Sequence, residues 1–347
     1  MHMKKIVKIL VLILIPIVFG GIVFGGYVGY RVWLDKPYTT KSYDEIYDQS
    51  AITLQVGDDG LLNVLKINDT HFINGECADD KKTLAGLKAV LDSTVTDLIV
   101  LNGDIVDGFN LKPSYDKYQA IDCVAELIES YEVPWTFAPG NNDGEIDGGN
   151  KDVIAYMMQF EHFVCGNIEG LYGDMQFFID VKQGDKLVHT IAIMDSGMRK
   201  PKITGKYDYI RKDQIEWLLD GIEYRNVSTS VFFHMQTPAF ELACNEGEII
   251  QNMPKWKSSD YDSIPKNTLF DEMTKDCDLI SLLSVGHQHG NAMTSYYNGR
   301  YYQLSSPSGY SAWYPEELSP SCTLTVVDTT ANNVKEAYSF YDIKATA

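Results

Sequence analysis

Five short stretches of this chain carry the kinds of side chain that bind metal ions. They are Asp69-Thr70-His71, Asn102-Gly103-Asp104 with Asp107 three residues on, Gly140-Asn141-Asn142-Asp143, His234, and Gly286-His287-Gln288-His289. Four of the seven histidines fall within them. Carboxylate, amide and imidazole donors suit zinc, manganese, iron or nickel and do not choose among these. A carboxylate and an imidazole two residues apart, as at 69 and 71, project to one side of an extended strand, and so do the imidazoles of 287 and 289. Asp69, His71, Asp104, Asn141, His234, His287 and His289 are too many donors for one ion. A pair of ions about 3.5–4 Å apart, sharing one carboxylate, would use them all.

Singly, each stretch has a plainer reading. An aspartate after a strand usually caps a turn, and a lone histidine there usually fills part of a core. What sets these apart is that every one follows an apolar run. Leu98–Leu101 (LIVL) precedes Asp104, Leu61–Asn68 precedes Asp69, and Pro134–Pro139 precedes Asn141. Val231–Phe233 precedes His234, and Leu279–Val285 precedes His287. Such runs read as buried strands, and open α/β folds place ligand groups at the carboxyl ends of strands.

Between the strands the spacing predicts helices. Lys81–Leu91 sets Leu84, Leu87, Val90 and Leu91 on one face, Tyr115–Tyr131 follows Ser114 as N-cap, and Lys151–Phe160 and Arg211–Tyr224 come later. Gln176–Asp195 reads as two strands around Gln183-Gly184-Asp185, and Tyr296–Leu304 as a hairpin around Asn298-Gly299. Two further strands are expected near Thr323–Val327 and Ala337–Ile343. Alternation first and hairpins later imply an α/β (α+β) fold of two packed sheets flanked by helices.

Composition sets limits. With 347 residues, 45% of them hydrophobic, the chain can bury a large core. A net charge of −19 argues against nucleic acid as a partner, and an anionic substrate would need a local positive centre. Six cysteines without CxxC spacing argue against a thiolate zinc site, and outside the cytoplasm they permit either disulfides or free thiols. Residues 1–8 are short and basic. Residues 9–30 are uncharged and long enough for one N-terminal transmembrane helix, an uncleaved anchor into the lipid bilayer. The flanking lysines put the soluble part outside the cytoplasm, a single-pass, membrane-anchored arrangement. Gly21, Gly25 and Gly29 offer a close-packing face for a homodimer. Residues 31–50 read as a linker.

The order DxH, GDxxD, GN, H, GHxH resembles that of the calcineurin-like metallophosphoesterases. LIVLNGD, AIMDSG, DQIEWL, VFFHMQTP and GHQHGN are similar to the branch related to purple acid phosphatases and the yeast Dcr2-type phosphatases. The resemblance runs from about Leu61 to Tyr314. It implies a four-layer αββα sandwich of two mixed sheets, with residues 51–347 as the metallophosphoesterase domain. It also implies one metal on Asp69, His71, Asp104 and His289, and a second on Asp104, Asn141, His234 and His287. The implied reaction is hydrolysis of a phosphorylated small molecule or phosphoprotein, with a metal-bridging hydroxide attacking phosphorus in line.

Two positions depart from the family pattern. Where members often carry GNH, with that histidine helping to protonate the leaving group, this chain has Asn142, and an amide is no general acid near pH 7. Asp107, Asp143 and His162 are the candidate substitutes. The purple enzymes carry a tyrosine ligand at the position of Asp107. Asp104, Asn142 and Asp107 are thus the residues singled out for catalysis. A diesterase or pyrophosphatase acting on nucleotides or lipid head groups, and a non-catalytic metal-holding module, are the alternatives. Trp135, Trp217, Trp256 and Trp313 read as core or rim, and Ser305–Tyr310, which follows the last hairpin, as a turn, with lining of the cleft as its alternative.

Overall fold

The apolar run Leu98–Leu101 is a strand buried along its whole length, with parallel neighbours on both sides. Full burial of an uninterrupted apolar strand requires covered faces above and below it. The computed structural model describes residues 14–18, 20–26, 52–108, 114–145, 149–198, 207–252, 266–314, 319–331 and 333–341.

In chain order the strands begin with β1 (Thr53–Gln55), β2 (Leu61–Ile67), β3 (Leu98–Leu101), β4 (Trp135–Phe137), β5 (Phe163–Val164), β6 (Gln176–Gln183) and β7 (Lys186–Met194). They continue with β8 (Thr229–Phe232), β9 (Glu248–Asn252), β10 (Ile280–Val285), β11 (Met293–Tyr297), β12 (Arg300–Leu304), β13 (Ser321–Asp328) and β14 (Asn333–Tyr341). The helices are α1 (Ala78–Ser93), α2 (Lys117–Glu129), α3 (Asn150–Met157), α4 (Lys212–Arg225), α5 (Ala239–Glu246) and α6 (Leu269–Thr274).

Six strands form one sheet in the order β14-β13-β2-β3-β4-β5, and eight form the other in the order β1-β6-β7-β8-β10-β12-β11-β9. Both are mixed. The run β2-β3-β4-β5 is parallel while β13 is antiparallel to β2. In the larger sheet β7, β8, β10 and β12 are parallel, the pairs β6–β7, β12–β11 and β11–β9 are antiparallel, and β1 at the edge runs parallel to β6.

Period-two alternation shows how the layers stack. Ile191, Ile193, Phe232 and Leu282 of the larger sheet join Leu62, Val64 and the helices α1 to α3 in one apolar cluster. Their chain neighbours Ala192, Met194, Val231 and Leu283 instead join Ile215, Leu218, Phe240 and Phe270 of α4, α5 and α6. Successive strand residues point to opposite faces, so the first set lies between the sheets and the second under the helices. The result is two mixed sheets face to face with helices outside each.

One charged side chain lies in the seam. Lys66 is fully buried on the face of β2 shared by Leu62 and Val64, and its ammonium donates to Ser284 Oγ and to Val285 O, both at 2.8 Å. Ser284 Oγ donates on to Gln303 Oε1, and Gln303 Nε2 to Thr325 Oγ1. This polar chain ties the carboxyl end of β2 to that of β10. Burial pulls the Lys66 pKa well down, with Asp69 acting against that pull.

Tyr297 and Arg300 close the predicted hairpin through Asn298 and Gly299, both at positive φ, as a two-residue primed turn requires. Helix α2 is capped by Asp116 and not by Ser114. The Asp116 carboxylate accepts from the amides of Tyr118 and Gln119, which leaves Ser114 outside the helix as an acceptor for Asn74. Among the described residues no disulfide forms.

Of the apolar stretch 9–30, residues 14–18 and 20–26 are helical and exposed. No helix among the described residues is long and apolar enough to cross a membrane. The expected spanning helix is therefore not supported. The remainder of that stretch, with Gly29 and the linker 31–50, lies outside the described residues.

Candidate metal centre

The chain follows β2, β3, β4, β8 and β10 directly into the five donor-bearing stretches. The first three strands belong to one sheet and the last two to the other, so both sheets contribute donors at one shared edge. The expectation that strand alternation aims Asp69 with His71 gives way to another geometry. Strand β2 ends at Ile67, and Asp69, His71, Asp104 and His287 all adopt left-handed backbone, with φ of 52°, 48°, 51° and 70°. For residues with a Cβ such conformations each cost about 1–3 kcal/mol, and they persist where surrounding structure enforces them.

That enforcement is visible. Asp69 Oδ2 accepts from Asn68 Nδ2 at 2.6 Å and from the His287 amide at 2.9 Å, which leaves Oδ1 to face His289 Nε2 at 3.1 Å. Asp143 accepts from four backbone amides, those of Asp104, Ile105, Val106 and Gly140, and so clamps the β3 loop to the β4 loop. A Cβ on Gly140 would lie 2.2 Å from the Asp104 amide, and one on Gly103 would lie 2.4 Å from His234 Nδ1. Side chains there would push the loops apart. Ser305–Tyr310 buttresses the first loop: Ser308 Oγ accepts from the Asn68 amide, and the Ser308 amide donates to Asn68 O.

The donors sort into two groups. Asp69, His71 and His289 form one, and Asp104, His234 and His287 the other, each with its donor atoms within 4.8 Å of one another. His287 and His289, paired in the sequence, thus part to different groups. The groups adjoin. Asp104 Oδ2 lies 3.3 Å from His234 Nε2 and 3.8 Å from His71 Nε2, and Asp69 Oδ1 lies 3.9 Å from His234 Nε2. Two histidines are oriented through backbone carbonyls. His234 Nδ1 donates to Asn102 O at 2.8 Å and His289 Nδ1 to Trp313 O at 2.5 Å, so Nε2 of each is the nitrogen that faces the centre.

Two buried atoms test whether ions fit. Asn141 Oδ1 and His234 Nε2 are sealed from solvent and have no hydrogen-bond partner within the protein. Buried polar atoms are rarely left so, and a cation satisfies both. The electrostatics agree. Burial would raise the Asp104 carboxyl, yet His234 and His71 hold it down at about 2. Asp69 is held below the usual carboxylate range, burial opposing and His234 and His289 prevailing. Burial would lower the His234 imidazole, but Asp104 and Asp69 carry it up to about 10. Both carboxylates are thus ionised at neutral pH, the form that binds a cation.

The remaining sequence candidates fall into place around this centre. Asn142 donates twice to Asp104, from its amide to Oδ1 at 2.8 Å and from Nδ2 to Oδ2 at 2.7 Å. Asp107 Oδ1 lies 3.4 Å from His71 Nδ1, the ring nitrogen turned away from the centre. His162 sits at the start of β4, the edge remote from the donors, bound to Glu129 at 2.7 Å, so it cannot stand in for the missing histidine. The four amides on Asp143 make it structural. Sequence reasoning missed Asn68, which orients Asp69, and the Asn102 and Trp313 carbonyls. A backbone carbonyl leaves no trace in residue type.

Asp107 is positioned to orient His71 as a carboxylate orients a metal-bound imidazole. Such partners are worth about 10–100-fold in metal affinity. Asp107→Ala is therefore expected to weaken metal binding by about 10–100-fold, read by chelator competition on protein of unchanged melting temperature. An unchanged affinity would remove Asp107 from this role.

The family model for calcineurin-like phosphoesterases matches residues 62–291. Phosphatase DCR2 of Saccharomyces cerevisiae is 24% identical over 275 residues, which cover 70% of this chain and 46% of that protein. A probable inactive purple acid phosphatase 29 of Arabidopsis thaliana is 25% identical over 195 residues, covering 47% of this chain and 48% of its own length. The chain spans about half the length of the curated relatives it matches. A crystal structure of a dimetal phosphatase from Danio rerio superposes with a TM-score of 0.55 at 11% identity, over 81% of this chain and 98% of that one, which shows a shared fold. The family match spans more than half of the 347 residues, covers every donor of the two groups, and agrees with the sandwich. The chain belongs to the calcineurin-like phosphoesterases.

Proposed function

We propose that this protein is a dimetal-dependent phosphatase that hydrolyses phosphate monoesters of a small molecule or a phosphoprotein. The observation carrying this is the adjoining pair of donor groups at one sheet edge, with Asn141 Oδ1 and His234 Nε2 buried and lacking a hydrogen-bond partner. One ion would be held by Asp69, His71, Asp104 and His289, the other by Asp104, Asn141, His234 and His287. When bound, the pair supplies an acidified water as nucleophile and positive charge for the phosphoryl oxygens.

The chain's own residues do the rest. Asn68 and the His287 amide hold one oxygen of Asp69, so that its other oxygen faces the centre. The two donors of Asn142 fix both oxygens of Asp104. The open side lies toward His289 and Asp107, whose side chains are 15% and 33% exposed. An anionic ester entering there meets local positive charge within a protein of net charge −19.

Metal analysis with a panel of phosphomonoester, diester and pyrophosphate substrates tests the reading. Turnover of diesters or pyrophosphate in place of monoesters would make it a diesterase or pyrophosphatase, and bound metal without any turnover would leave a binding module. Asn142 carries no transferable proton at neutral pH, so the departing oxygen must leave with little help. Loss of general acid catalysis costs about 10²–10⁴-fold, felt most by poor leaving groups. Aryl phosphates should therefore be cleaved at least about 100-fold faster than alkyl phosphates, and the acidic limb of the pH–rate profile should be weak. Equal rates for phenyl phosphate and glycerol 2-phosphate would contradict this.

A further inference from the structure

Trp313 stands beside His289, one of the metal donors. Its carbonyl accepts from His289 Nδ1, so the residue is one hydrogen bond from a metal donor, on the open side of the centre. Its indole is 65% exposed, whereas Trp135 is fully buried and Trp217 partly so. Exposing so large an apolar surface forgoes much of the stabilisation its burial would give.

A lone exposed aromatic means little by itself. What distinguishes this one is its mounting. The Tyr310 amide donates to Thr83 Oγ1 at 2.9 Å, Ser311 Oγ donates to Asp80 Oδ1 at 2.8 Å, and the Lys82 ammonium lies 3.6 Å from the centre of the Tyr310 ring. Asp80 holds in turn the amides of Ile73, Asn74 and Gly75, the residues that follow His71. Helix α1 therefore fixes the backbone just before Trp313, and His289 fixes its carbonyl. A backbone fixed this firmly leaves only the two side-chain torsions of the indole to be ordered when a planar partner binds. A second aromatic stands by the other group, where the Tyr207 ring meets that of His287 edge-on at 4.7 Å between centroids.

We propose that Trp313 is a specificity residue that stacks on the leaving group, and that the substrate class is an aryl phosphate monoester. The inference rests on the hydrolase reading above and names its substrate class. It converges with the chemistry of Asn142, since an aryl oxygen departs without protonation and carries the planar ring that an indole face binds. Phosphotyrosine in a protein and a free small aryl phosphate share this chemistry.

The test uses the metal-loaded full chain, with Trp313→Ala and Trp313→Phe compared on phenyl phosphate, a phosphotyrosine peptide and glycerol 2-phosphate. Stacking of a ring on an aromatic side chain gives an expected rise of about tenfold in KM for both aryl substrates in the alanine variant. kcat should change little, KM for the alkyl ester should hold, and phenylalanine should recover most of the loss. Calorimetry with phenylphosphonate, which is not hydrolysed, should show the same factor in Kd. Metal content should be unaltered, because the carbonyl on His289 belongs to the backbone. Whichever aryl substrate has the higher kcat/KM in the wild type identifies the source.

Equal KM changes for aryl and alkyl esters, or phenylphosphonate binding that ignores the substitution, would overturn the proposal while leaving the hydrolase standing. Failure of the phenylalanine variant to restore phosphonate binding would overturn it as well. A protein that hydrolyses none of the esters but loses phosphonate affinity in Trp313→Ala would keep the stacking site and sink the hydrolase reading.

Discussion

Asp104→Asn is expected to leave a folded protein that hydrolyses phosphate esters at least about 10³-fold more slowly and holds less than one metal ion per chain. Asp104 Oδ2 lies between His234 Nε2 of one donor group and His71 Nε2 of the other, at 3.3 and 3.8 Å. An amide in its place removes an anion from the neighbourhood of both. It also meets the two donors of Asn142, and its own NH₂ cannot accept from either. Asp69→Asn should be milder in stoichiometry, because Asp69 Oδ1 faces His289 most closely, at 3.1 Å. Stability gives an independent reading. A ligand that binds only the folded state at about 100 times its Kd adds about 2.7 kcal/mol. Added metal should therefore raise the wild-type melting temperature and leave that of Asp104→Asn in place. Metal-stripped, the variant should melt somewhat lower than the wild type, because His234 and His71 hold the Asp104 carboxyl at about 2 and Asn142 loses an acceptor. Relief of Asp143, raised to about 6 by burial and by Asp104 beside it, offsets part of the loss. Two bound ions and activity within tenfold of the wild type would remove Asp104 from the shared position.

The donors were legible because each follows a strand that announces itself. Leu98–Leu101 is apolar throughout and buried throughout, and the pairs Ile191/Ala192 and Phe232/Val231 divide between two cores as a period of two demands. Ends of such strands are where a parallel sheet presents ligands, so residue type and position pointed to the six residues that gather in the two groups. Their conformation was hidden. Asp69, His71, Asp104 and His287 turn left-handed, a state that glycine advertises and aspartate and histidine do not. Hence strand alternation paired Asp69 with His71 for the wrong reason, and it set His287 and His289 to one side, whereas the division of these two histidines between two ions, implied by the family resemblance, is the division the fold makes. The short elements were missed on the same ground of weak signal. Helix α5 buries only Ala239, Phe240 and Ala243, and β1 and β5 have three and two residues, too few for a period to show. Ser114 lost the cap of α2 to Asp116 because both are good N-caps two residues apart, and only the geometry of the loop decides between them.

Acid should destabilise this fold through a residue far in sequence from the donors. His189 is fully buried on β7, on the face of Ile191 and Ile193, between the sheets. Nε2 lies 3.0 Å from Ser230 Oγ, while Nδ1 is buried without a partner. Burial alone carries its pKa down from 6.5 to about 3. The folded state therefore favours the neutral ring. The stability this contributes is fully present above the unfolded pKa and is lost progressively as pH falls from about 6.5 toward 3. At about 1.36 kcal/mol per pKa unit, some 1.5 units of that window are spent by pH 5, a loss of about 2 kcal/mol. Other buried groups pull the opposite way. Asp195 and Asp271 are raised to about 6 by burial, so their folded forms hold a proton more firmly and gain stability as pH drops below that value. The wild-type acid limb is thus a sum of opposing slopes, and only a difference isolates His189. His189→Gln keeps a polar partner for Ser230 and does not titrate. At pH 8 it should be less stable than the wild type by about 1 kcal/mol, the worth of an imperfectly replaced hydrogen bond. At pH 5 it should be the more stable of the two, the gap having moved by about 2 kcal/mol. Urea unfolding of metal-stripped protein at the two pH values measures this directly, and a gap that stays constant across them would show that His189 does not titrate on unfolding.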